Sequence, residues 1–446
     1  MLHDRRPLNY FGLHFWLLRF LGIGWWHDPF SEDKRNFPSW YLYYSILMQI
    51  VWVAGFVGLE TIDPFVGDRD LTQFMFSLAF VVTHDLTIFK LFIFYIKNKD
   101  IKDVVRTLEV DLYDYYQQDE KIFATIKKTK ILTGAFLFFG WIIIGNTNVH
   151  GAIVDIQWKA EVAMLNNSST KPPRTLPLPI FIPWSYQNDT SYIFTFIFET
   201  IGLFWTGHIV MTIDSFIGTL ILHMSNQFIM LQDAYRSAYD RTVNRMLQKH
   251  NFNDNIDAEI EINKHFLEAD KKELIVRKIY TAEHFNSELE KTLKSCYKQH
   301  QILIECVQKF ATTYSYGFMI QLLSSVTAIC ALMVQISHDA SSLTSSRLVT
   351  SLAFFVVMII QLAIQCFTGN ELTYQAGLVS EAVMECKWEH MPVRLGRMLV
   401  LCCARAQRPL RLTAAGFTHI NIDCFLSIMK AAYSYYAVLS QKQYSN

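Results

Sequence analysis

The chain has 446 residues, of which 51% are hydrophobic and 18% charged, and its formal net charge at pH 7 is zero. Soluble domains usually carry about 25% charged residues, so the composition favours a membrane protein, and the neutral balance argues against nucleic-acid binding. The eight cysteines lie in the second half and lack the spacing of a zinc site or a disulfide framework. Since the motifs of nucleophilic, phosphate-binding and zinc enzymes are also missing, we expect neither an enzyme nor a cofactor.

The N-terminal run Phe11–Trp26 is apolar but short, and His14 and Arg19 interrupt it. No small-residue cleavage site follows, so the run does not have the pattern of a removable signal peptide. It predicts an interfacial or re-entrant helix, with a buried cytosolic helix as the alternative.

Seven later segments are apolar and long enough to cross a bilayer, which takes about 20 residues. They are Trp40–Leu59, Leu71–Ile96, Ile131–Val149, Tyr192–Ile213, Phe310–Ile336, Leu348–Phe367 and Gly416–Leu439. The sequence therefore predicts an all-α membrane protein with seven transmembrane helices.

Lysine and arginine alternate between rich and poor segments along the chain. They are frequent before the first span and in residues 97–130, 214–309 and 368–415, and sparse in residues 60–70, 151–191 and 337–347. Because cytoplasmic loops carry the excess of these residues, the N-terminus is predicted to be cytoplasmic and the C-terminus extracellular.

Glycosylation sequons agree with this orientation. They begin at Asn166, Asn167 and Asn188, and all three fall in residues 151–191, which the charge pattern places outside. The same loop contains five prolines within Lys171–Trp184, separated by apolar residues. This pattern predicts an extended, ordered lid rather than a flexible linker.

The long loop 214–309 is rich in both charges and predicts helices that continue from the adjoining spans, with a break near Asn251–Asp257. Glu273 with Arg277, and Glu290 with Lys294, are spaced as i,i+4 pairs of a solvated helix.

Polar residues recur along the last predicted span with a period close to that of an α-helix. They are His419, Asp423, Ser427, Lys430, Ser434 and Gln441. A spanning helix must turn such a stripe toward protein or water. Copies of the helix around an axis would form a pore narrowed at Val438, the bulky apolar member of the stripe. A helix packed inside one bundle with its polar atoms paired is the alternative.

Other polar residues interrupt the predicted spans. His84 and Asp85 either contact a ligand or bond a neighbouring helix, and for Asp85 we favour the structural role. Glu199 and His208 lie nine residues apart, so they do not share a helix face, and structural pairing is expected for each. Aromatic residues in the outer halves of spans two, three, four and six would together line a mostly apolar pocket suited to a small volatile molecule.

Two other classes of membrane protein fit less well. The predicted orientation is the inverse of a metabotropic G-protein-coupled receptor, and the Asp240-Arg241 pair lies in a hydrophilic loop instead of at the inner end of span three. A secondary transporter would be expected to have pseudo-symmetric halves with broken helices, and the sequence contains neither.

The C-terminal region resembles that of insect odorant receptors. The matching stretches are Gly369-Asn-Glu-Leu372, Ala404-Arg-Ala-Gln-Arg-Pro-Leu410, Leu412-Thr-Ala-Ala-Gly-Phe417 and Tyr433-Ser-Tyr-Tyr-Ala-Val-Leu-Ser-Gln441. Gustatory receptors, the related alternative, end with Thr-Tyr, five apolar residues and Gln-Phe. Here Ser434-Tyr435 and Gln441-Lys442 depart from that pattern.

The resemblance implies a subunit of a ligand-gated, non-selective cation channel with four subunits. Cytosolic helices form its anchor region, and the last helix lines the pore, with the gate at Val438, Gln441 just outside it, and Ser434, Lys430 and Asp423 further along. The resemblance is to the odour-specific subunit, whose partners are co-receptor subunits, a small volatile organic ligand and membrane lipid. It implies the plasma membrane, in dendrites of olfactory sensory neurons. We divide the chain at 1–367, the ligand-binding bundle with its loop helices, and 368–446, the anchor helix and the pore helix.

The resemblance also implies a ligand pocket between spans two, three, four and six. Counting along those spans, the candidate ligand-binding residues are Phe80, Thr83, His84, Ile142, Asn146, Ile201, Trp205, Thr350 and Phe354. Lys430 on the pore stripe would oppose cations, an effect that a mixed tetramer or a wide vestibule would reduce.

Overall fold

The computed structural model describes residues 10–24, 39–66, 71–115, 119–164, 172–253, 269–340 and 346–445. The helices in these residues are α1 (Gly12–Phe20), α2 (Ser39–Met48), α3 (Gly58–Ile62), α4 (Leu71–Ile96), α5 (Asn98–Arg106), α6 (Asp119–Met164), α7 (Asp189–Arg236), α8 (Ala238–Asn253), α9 (Ala269–Ile279), α10 (Ala282–Asp339), α11 (Ser346–Met384), α12 (Val393–Ala406) and α13 (Ile422–Ser445). A π-helical stretch, Gln49–Val57, joins α2 to α3. Two short strands, β1 (Thr413–Ala414) and β2 (Thr418–His419), precede α13.

Six helical runs within the described residues are long and apolar enough to cross a bilayer. They are Trp40–Phe65, Gln73–Ile96, Glu120–Met164, Asp189–Arg236, Ala282–Asp339 and Leu348–His390. Each coincides with one of the first six predicted spans, so the all-α membrane fold is confirmed. The last helix, α13, has 24 residues and is long enough to cross a bilayer. Because it carries the polar stripe, it is not among the six apolar runs.

The helices extend well beyond the apolar segments that predict them. Helix α10 has 58 residues, which corresponds to about 87 Å, nearly three times the thickness of a bilayer core. Its first half contacts the end of α7 through Cys296 and Ala234, and α8 through the hydrogen bond between Thr292 and Thr242. Arg394 on α12 forms an ion pair with Glu290 on the same half. The predicted boundary between residues 1–367 and 368–446 falls inside the unbroken helix α11.

The predicted ion pairs of the long loop are confirmed. Arg277 lies 2.7 Å from Glu273 on α9, and Lys294 lies 2.8 Å from Glu290 on α10. Helix α8 is described as far as Asn253, and the rest of the predicted break lies in residues 254–268, outside the described residues. A hydrogen bond of 2.9 Å from the Gln232 side chain to the Gln375 carbonyl ties α7 to α11 in this region.

Helix α7 forms the centre of the bundle, because every residue from Met211 to Phe228 is buried. It packs against α4, α6, α10 and α11. The short helix α1 contacts the same core, with the Phe11 ring 5.6 Å from that of Phe216. The opposite face of α1 is exposed at Trp16, so α1 is docked on the bundle by one side.

The proline-rich segment is extended and ordered, as predicted. Arg174 is buried, forms ion pairs with Asp155 and Asp189, and stacks on the rings of Trp158 and Tyr192. Further along the segment Leu178 and Ile180 are buried, and the Phe181 N–H donates to the Leu59 carbonyl at 3.3 Å. The segment therefore covers one end of the bundle. Of the three sequons, Asn188 is exposed directly before α7, and Asn166 and Asn167 lie outside the described residues.

The start of the last helix differs from the prediction. The helix begins at Ile422 rather than Gly416, and His419 lies on strand β2, paired with Thr413. Ala415 and Gly416 both have positive φ, 49° and 79°, which is the backbone of a tight hairpin turn and not of a helix. The sequence has turn-forming residues here, but its polar residues keep a helical period through this stretch and so predicted a helix instead of a hairpin.

Candidate functional site

A cavity lies between α4, α6, α7 and α11. Its volume is about 60 Å³. Most of its wall is apolar, and the polar lining groups come from Thr83, His84, His208 and Gln361. The apolar lining residues are Phe80, Phe136, Ile143, Ile144, Leu203, Val210, Met211, Phe354, Val357 and Met358.

The four helices that enclose this cavity are those predicted to hold the ligand. Four of the predicted residues are among those lining it: Phe80, Thr83, His84 and Phe354. The rings of Phe80 and Phe354 approach to 4.9 Å between α4 and α11.

The remaining predicted residues lie elsewhere. The Asn146 side chain donates to the Thr350 hydroxyl at 2.7 Å, a bond that ties α6 to α11. Trp205 is buried with its ring 5.5 Å from that of Phe20 on α1. Ile142 and Ile201 are 42% and 40% exposed, so their side chains face outward.

Counting along span three selected Ile142, which is one position away from a residue that lines the cavity. Its neighbours Ile143 and Ile144 line the cavity instead. Successive side chains on a helix differ in direction by about 100°. An error of one residue can therefore assign to the cavity a side chain that faces the outer surface. On α7 the lining residues Leu203 and His208 lie two and three positions after the predicted Ile201 and Trp205.

His84 contacts a buried carboxylate, that of Glu60, which was not predicted from the sequence. The Nδ1 atom of His84 lies 2.5 Å from Oε2 of Glu60, which is fully buried. The predicted span ended at Leu59, but the helix continues, and Glu60 is carried into the bundle. Asp85 accepts a 2.9 Å hydrogen bond from Thr61, in line with the structural role favoured for it.

His208 is held by the backbone of its own helix and by two aromatic rings. Its Nδ1 lies 2.6 Å from the Phe204 carbonyl. The Phe204 ring lies 4.1 Å from the imidazole, and the Trp141 ring meets it edge-on at 5.4 Å. Its other nitrogen, Nε2, is buried and has no hydrogen-bond partner among the described residues.

A buried ion pair contacts Gln361, one of the residues that line the cavity. Lys90 and Asp214 form a salt bridge with both side chains almost fully buried. The amide of Gln361 donates to the same carboxylate, so one cavity-lining residue bonds directly to the charged core. An unpaired charge at this depth would be strongly destabilising, which is why the two occur together.

The last helix turns its polar stripe away from the rest of the chain. Asp423, Ser427, Lys430, Ser434 and Gln441 are exposed, and Val438 is 66% exposed. The hydroxyls of Ser427 and Ser434 donate to carbonyls one turn back in their own helix, at 2.8 and 2.9 Å. On the opposite side α13 packs against α10 and α11.

Helix α11 connects the cavity to this last helix. The residues that line the cavity lie in its first half, and Gly369 lies further along, against Ile420, two residues before α13 begins. A Cβ atom at Gly369 would come within 2.6 Å of the Ile420 carbonyl oxygen. The close approach of the two backbones therefore requires glycine at this position.

The profile of the family described as 7tm Odorant receptor matches residues 70–433. The chain belongs to the insect odorant receptor family. It is similar to Odorant receptor Or1 of Anopheles gambiae, with 22% identity over 99% of this chain and 97% of the relative. The solved olfactory receptor OR5 of Machilis hrabei shares its fold, with a TM-score of 0.70, 14% identity, and coverage of 97% of this chain and 99% of that one.

Similarity to the shared co-receptors is more limited. The Odorant receptor coreceptor of Aedes aegypti is 23% identical over 33% of this chain and 31% of that protein, whereas the match to Or1 spans nearly both chains. This odorant receptor is therefore of the odour-specific type, as the resemblance implied, and is a receptor rather than an enzyme.

Proposed function

We propose that this receptor is a subunit of an odorant-gated, non-selective cation channel whose pore is lined by α13. The exposed polar stripe of α13 carries the proposal. Lipid solvates Asp423 and Lys430 poorly, and the described part of the chain offers the stripe no covering helix. Symmetric copies around an axis would place it against water, with Val438 at the constriction and Gln441 beside it.

The orientation that fits this role has the N-terminus in the cytoplasm and the C-terminus outside. Both the distribution of Lys and Arg and the exposed sequon at Asn188 support it. Asn166 and Asn167 would be glycosylated on the same side. The receptor would then reside in the plasma membrane, in the dendrites of olfactory sensory neurons.

The cavity between α4, α6, α7 and α11 is the proposed binding site for a small volatile molecule. Phe80 and Phe354 supply apolar contact area, and Thr83 and His84 supply polar groups. Because 60 Å³ is less than half of the roughly 150 Å³ that admits a benzene, a ligand must separate the surrounding helices. Asn146 and Thr350 would respond through the hydrogen bond that joins α6 to α11.

Helix α11 is the proposed route from ligand to pore. A ligand favours whichever packing accommodates it, and a shift of α11 at Phe354 would be passed to Gly369 and the start of α13. The last helices would then separate at Val438. Ile142, Ile201 and Trp205 would act through helix packing and through the lipid-facing surface rather than by contact with the ligand.

Co-receptor subunits are the proposed partners in a tetramer. Four copies of Lys430 around one pore would repel cations, and replacing some of them with co-receptor helices lowers that repulsion. The proposed assembly is therefore a heterotetramer.

Whole-cell recording tests the proposal. Cells expressing this chain with and without an insect odorant co-receptor are exposed to a panel of volatile molecules. We expect odour-evoked cation current only when both chains are present. Absence of current despite surface expression of both chains contradicts the channel role. Loss of the current in excised patches without nucleotide would indicate a metabotropic mechanism instead.

A further inference from the structure

Three of the four polar side chains that line the cavity direct hydrogen-bond donors into the protein. The Thr83 hydroxyl donates to the carbonyls of Ala79 and Phe80, at 2.9 Å each. The Gln361 amide nitrogen donates to Asp214. His208 bonds through Nδ1 to the Phe204 carbonyl. In these three side chains the groups left to face a ligand are hydrogen-bond acceptors.

His208 presents the best defined of these acceptors. A carbonyl oxygen only accepts hydrogen bonds, so Nδ1 of His208 carries the proton. No described carboxylate forms a salt bridge with this imidazole, and a charged ring among apolar side chains would be costly. The ring is therefore neutral, and Nε2 holds a lone pair. His208 is 6% exposed, and its Nε2 has no partner among the described residues.

An unsatisfied buried acceptor is unfavourable and is expected to have a partner in the bound state. We propose that the cavity selects volatile molecules with a hydroxyl group, alcohols or phenols, whose O–H donates to Nε2 of His208. The hydrocarbon part of such a ligand would pack on Phe80, Phe354 and Met211. The inference rests on the proposed function, because it assigns a ligand class to the same cavity.

Two other polar groups near the cavity do not reverse this preference. His84 shares a close contact with Glu60 at 2.5 Å, so its Nδ1 is already engaged within the protein. Trp205 has an indole N–H without a partner among the described residues, but it lies against Phe20, apart from the residues that line the cavity. The indole N–H of Trp205, a donor that would favour ketones or ethers, is thus not among the groups that line the cavity.

Three isomers with the same atoms separate donor from acceptor ligands. Para-cresol and benzyl alcohol each carry an O–H, whereas anisole has the same formula and only an ether oxygen. One buried hydrogen bond gained or left unmade corresponds to roughly a 5- to 100-fold change in affinity. We expect the half-effective concentrations of para-cresol and benzyl alcohol to lie below that of anisole by a factor in this range.

Substitution of His208 tests whether the difference in potency between the isomers depends on its Nε2 atom. His208→Phe keeps an aromatic ring against Phe204 and Trp141 but removes the acceptor, so the two hydroxyl ligands should weaken to the level of anisole. Leu203→Met, on the same wall, should shift all three isomers together. If His208→Phe does not reach the membrane, His208→Gln decides. Its amide both donates and accepts, so anisole should become as potent as the hydroxyl ligands.

The readouts are the concentration dependence of current with the co-receptor and the thermal stabilisation of the purified full chain by each isomer. Equal potency of the three isomers, or a hydroxyl preference that survives His208→Phe, overturns the inference. If stabilisation follows the hydroxyl preference and depends on His208 while no current appears, the ligand class stands and the channel proposal fails. Absence of any preference in stabilisation and current overturns the ligand class.

Discussion

Helices α7 and α13 both carry polar residues at helical spacing, yet the two helices place them in opposite environments. In α7 the residues Thr212, Ser215, Thr219 and His223 are all buried within the subunit. In α13 the stripe that includes Lys430 is exposed along its length. Since polar residues in a membrane need a polar or aqueous surrounding, α7 obtains it from the same chain and α13 requires it from outside.

The difference separates two uses of a polar residue in a membrane helix. Around α7 the ion pair of Lys90 and Asp214, together with Gln361, fixes the arrangement of three helices. In α13 the hydroxyls of Ser427 and Ser434 bond back to their own backbone, so these two residues of the stripe do not tie α13 to another described helix. A helix fixed by buried polar bonds to its neighbours suits a rigid scaffold. A helix whose polar stripe makes no such bonds suits an element that moves.

The largest expected effect comes from breaking the buried pair. Lys90→Met leaves the Asp214 carboxylate unpaired, so it should lower the free energy of unfolding by about 3–5 kcal/mol. Lys430→Met makes the same change on the exposed stripe and should stay within about 0.5 kcal/mol. Thermal unfolding of the purified receptor in detergent compares the two variants. Equal loss in both would refute the distinction between the helices.

Combining Lys90→Met with Asp214→Leu sharpens the same measurement. Replacing both members of a buried ion pair with apolar groups is often nearly neutral, so most of the lost stability should return. If the double variant is as unstable as Lys90→Met alone, Lys90 contributes through packing and not through its charge.

A smaller effect is expected where α11 meets the start of α13. Gly369→Ala forces a Cβ atom against the Ile420 backbone and should cost about 1–3 kcal/mol, the usual cost of overpacking. Gly377→Ala is the matched control on α11, because no atom lies within 4 Å of a Cβ built there. The control should be neutral or stabilising by up to about 1 kcal/mol. Thermal unfolding and odour-evoked current are measured for both variants, and similar behaviour would argue against a tight contact at Gly369.

Val438 is expected to affect current more than stability. Val438→Ala shortens an exposed side chain, so the free energy of unfolding should change by less than about 0.5 kcal/mol. Basal current with the co-receptor should rise, because the constriction becomes wider. Leu426→Ala is the control, since it also shortens an exposed side chain of α13 about 18 Å away along the axis. Unchanged basal current in a correctly assembled Val438→Ala channel would remove Val438 from the gate.

Features set by composition over many residues were predictable from the sequence. Six apolar segments, the paired charges of the long loop and the ordered proline-rich segment all follow from local patterns that short-range physics determines. The limits of the helices did not follow, because a helix such as α10 continues after its apolar stretch ends. The hairpin before α13 was missed for the related reason that a polar period does not reveal two residues with positive φ.

The sequence predicted which four helices enclose the cavity, but only some of the side chains that line it. Phe80 and Phe354 lie where the count placed them, whereas Ile142 faces outward and its neighbour Ile143 lines the wall. Which way a residue turns depends on the packing of four helices, and one chain segment does not contain that information. Glu60 was missed because hydropathy ended the span one residue early. A histidine as deep as His84, which needs a partner, was the available signal.

Lys430→Gln is expected to have the smallest effect on the folded subunit, because the side chain is exposed. Its effect on the pore should still be measurable. Removing positive charge beside the ion path raises the local concentration of cations, so single-channel conductance should increase, and the increase should shrink at high ionic strength. Lys298→Gln removes the same charge from an exposed position on α10, away from the proposed pore. A conductance that changes equally in both variants, or in neither, would mean that the stripe of α13 does not face the ions, and the exposed polar face would then need a different partner.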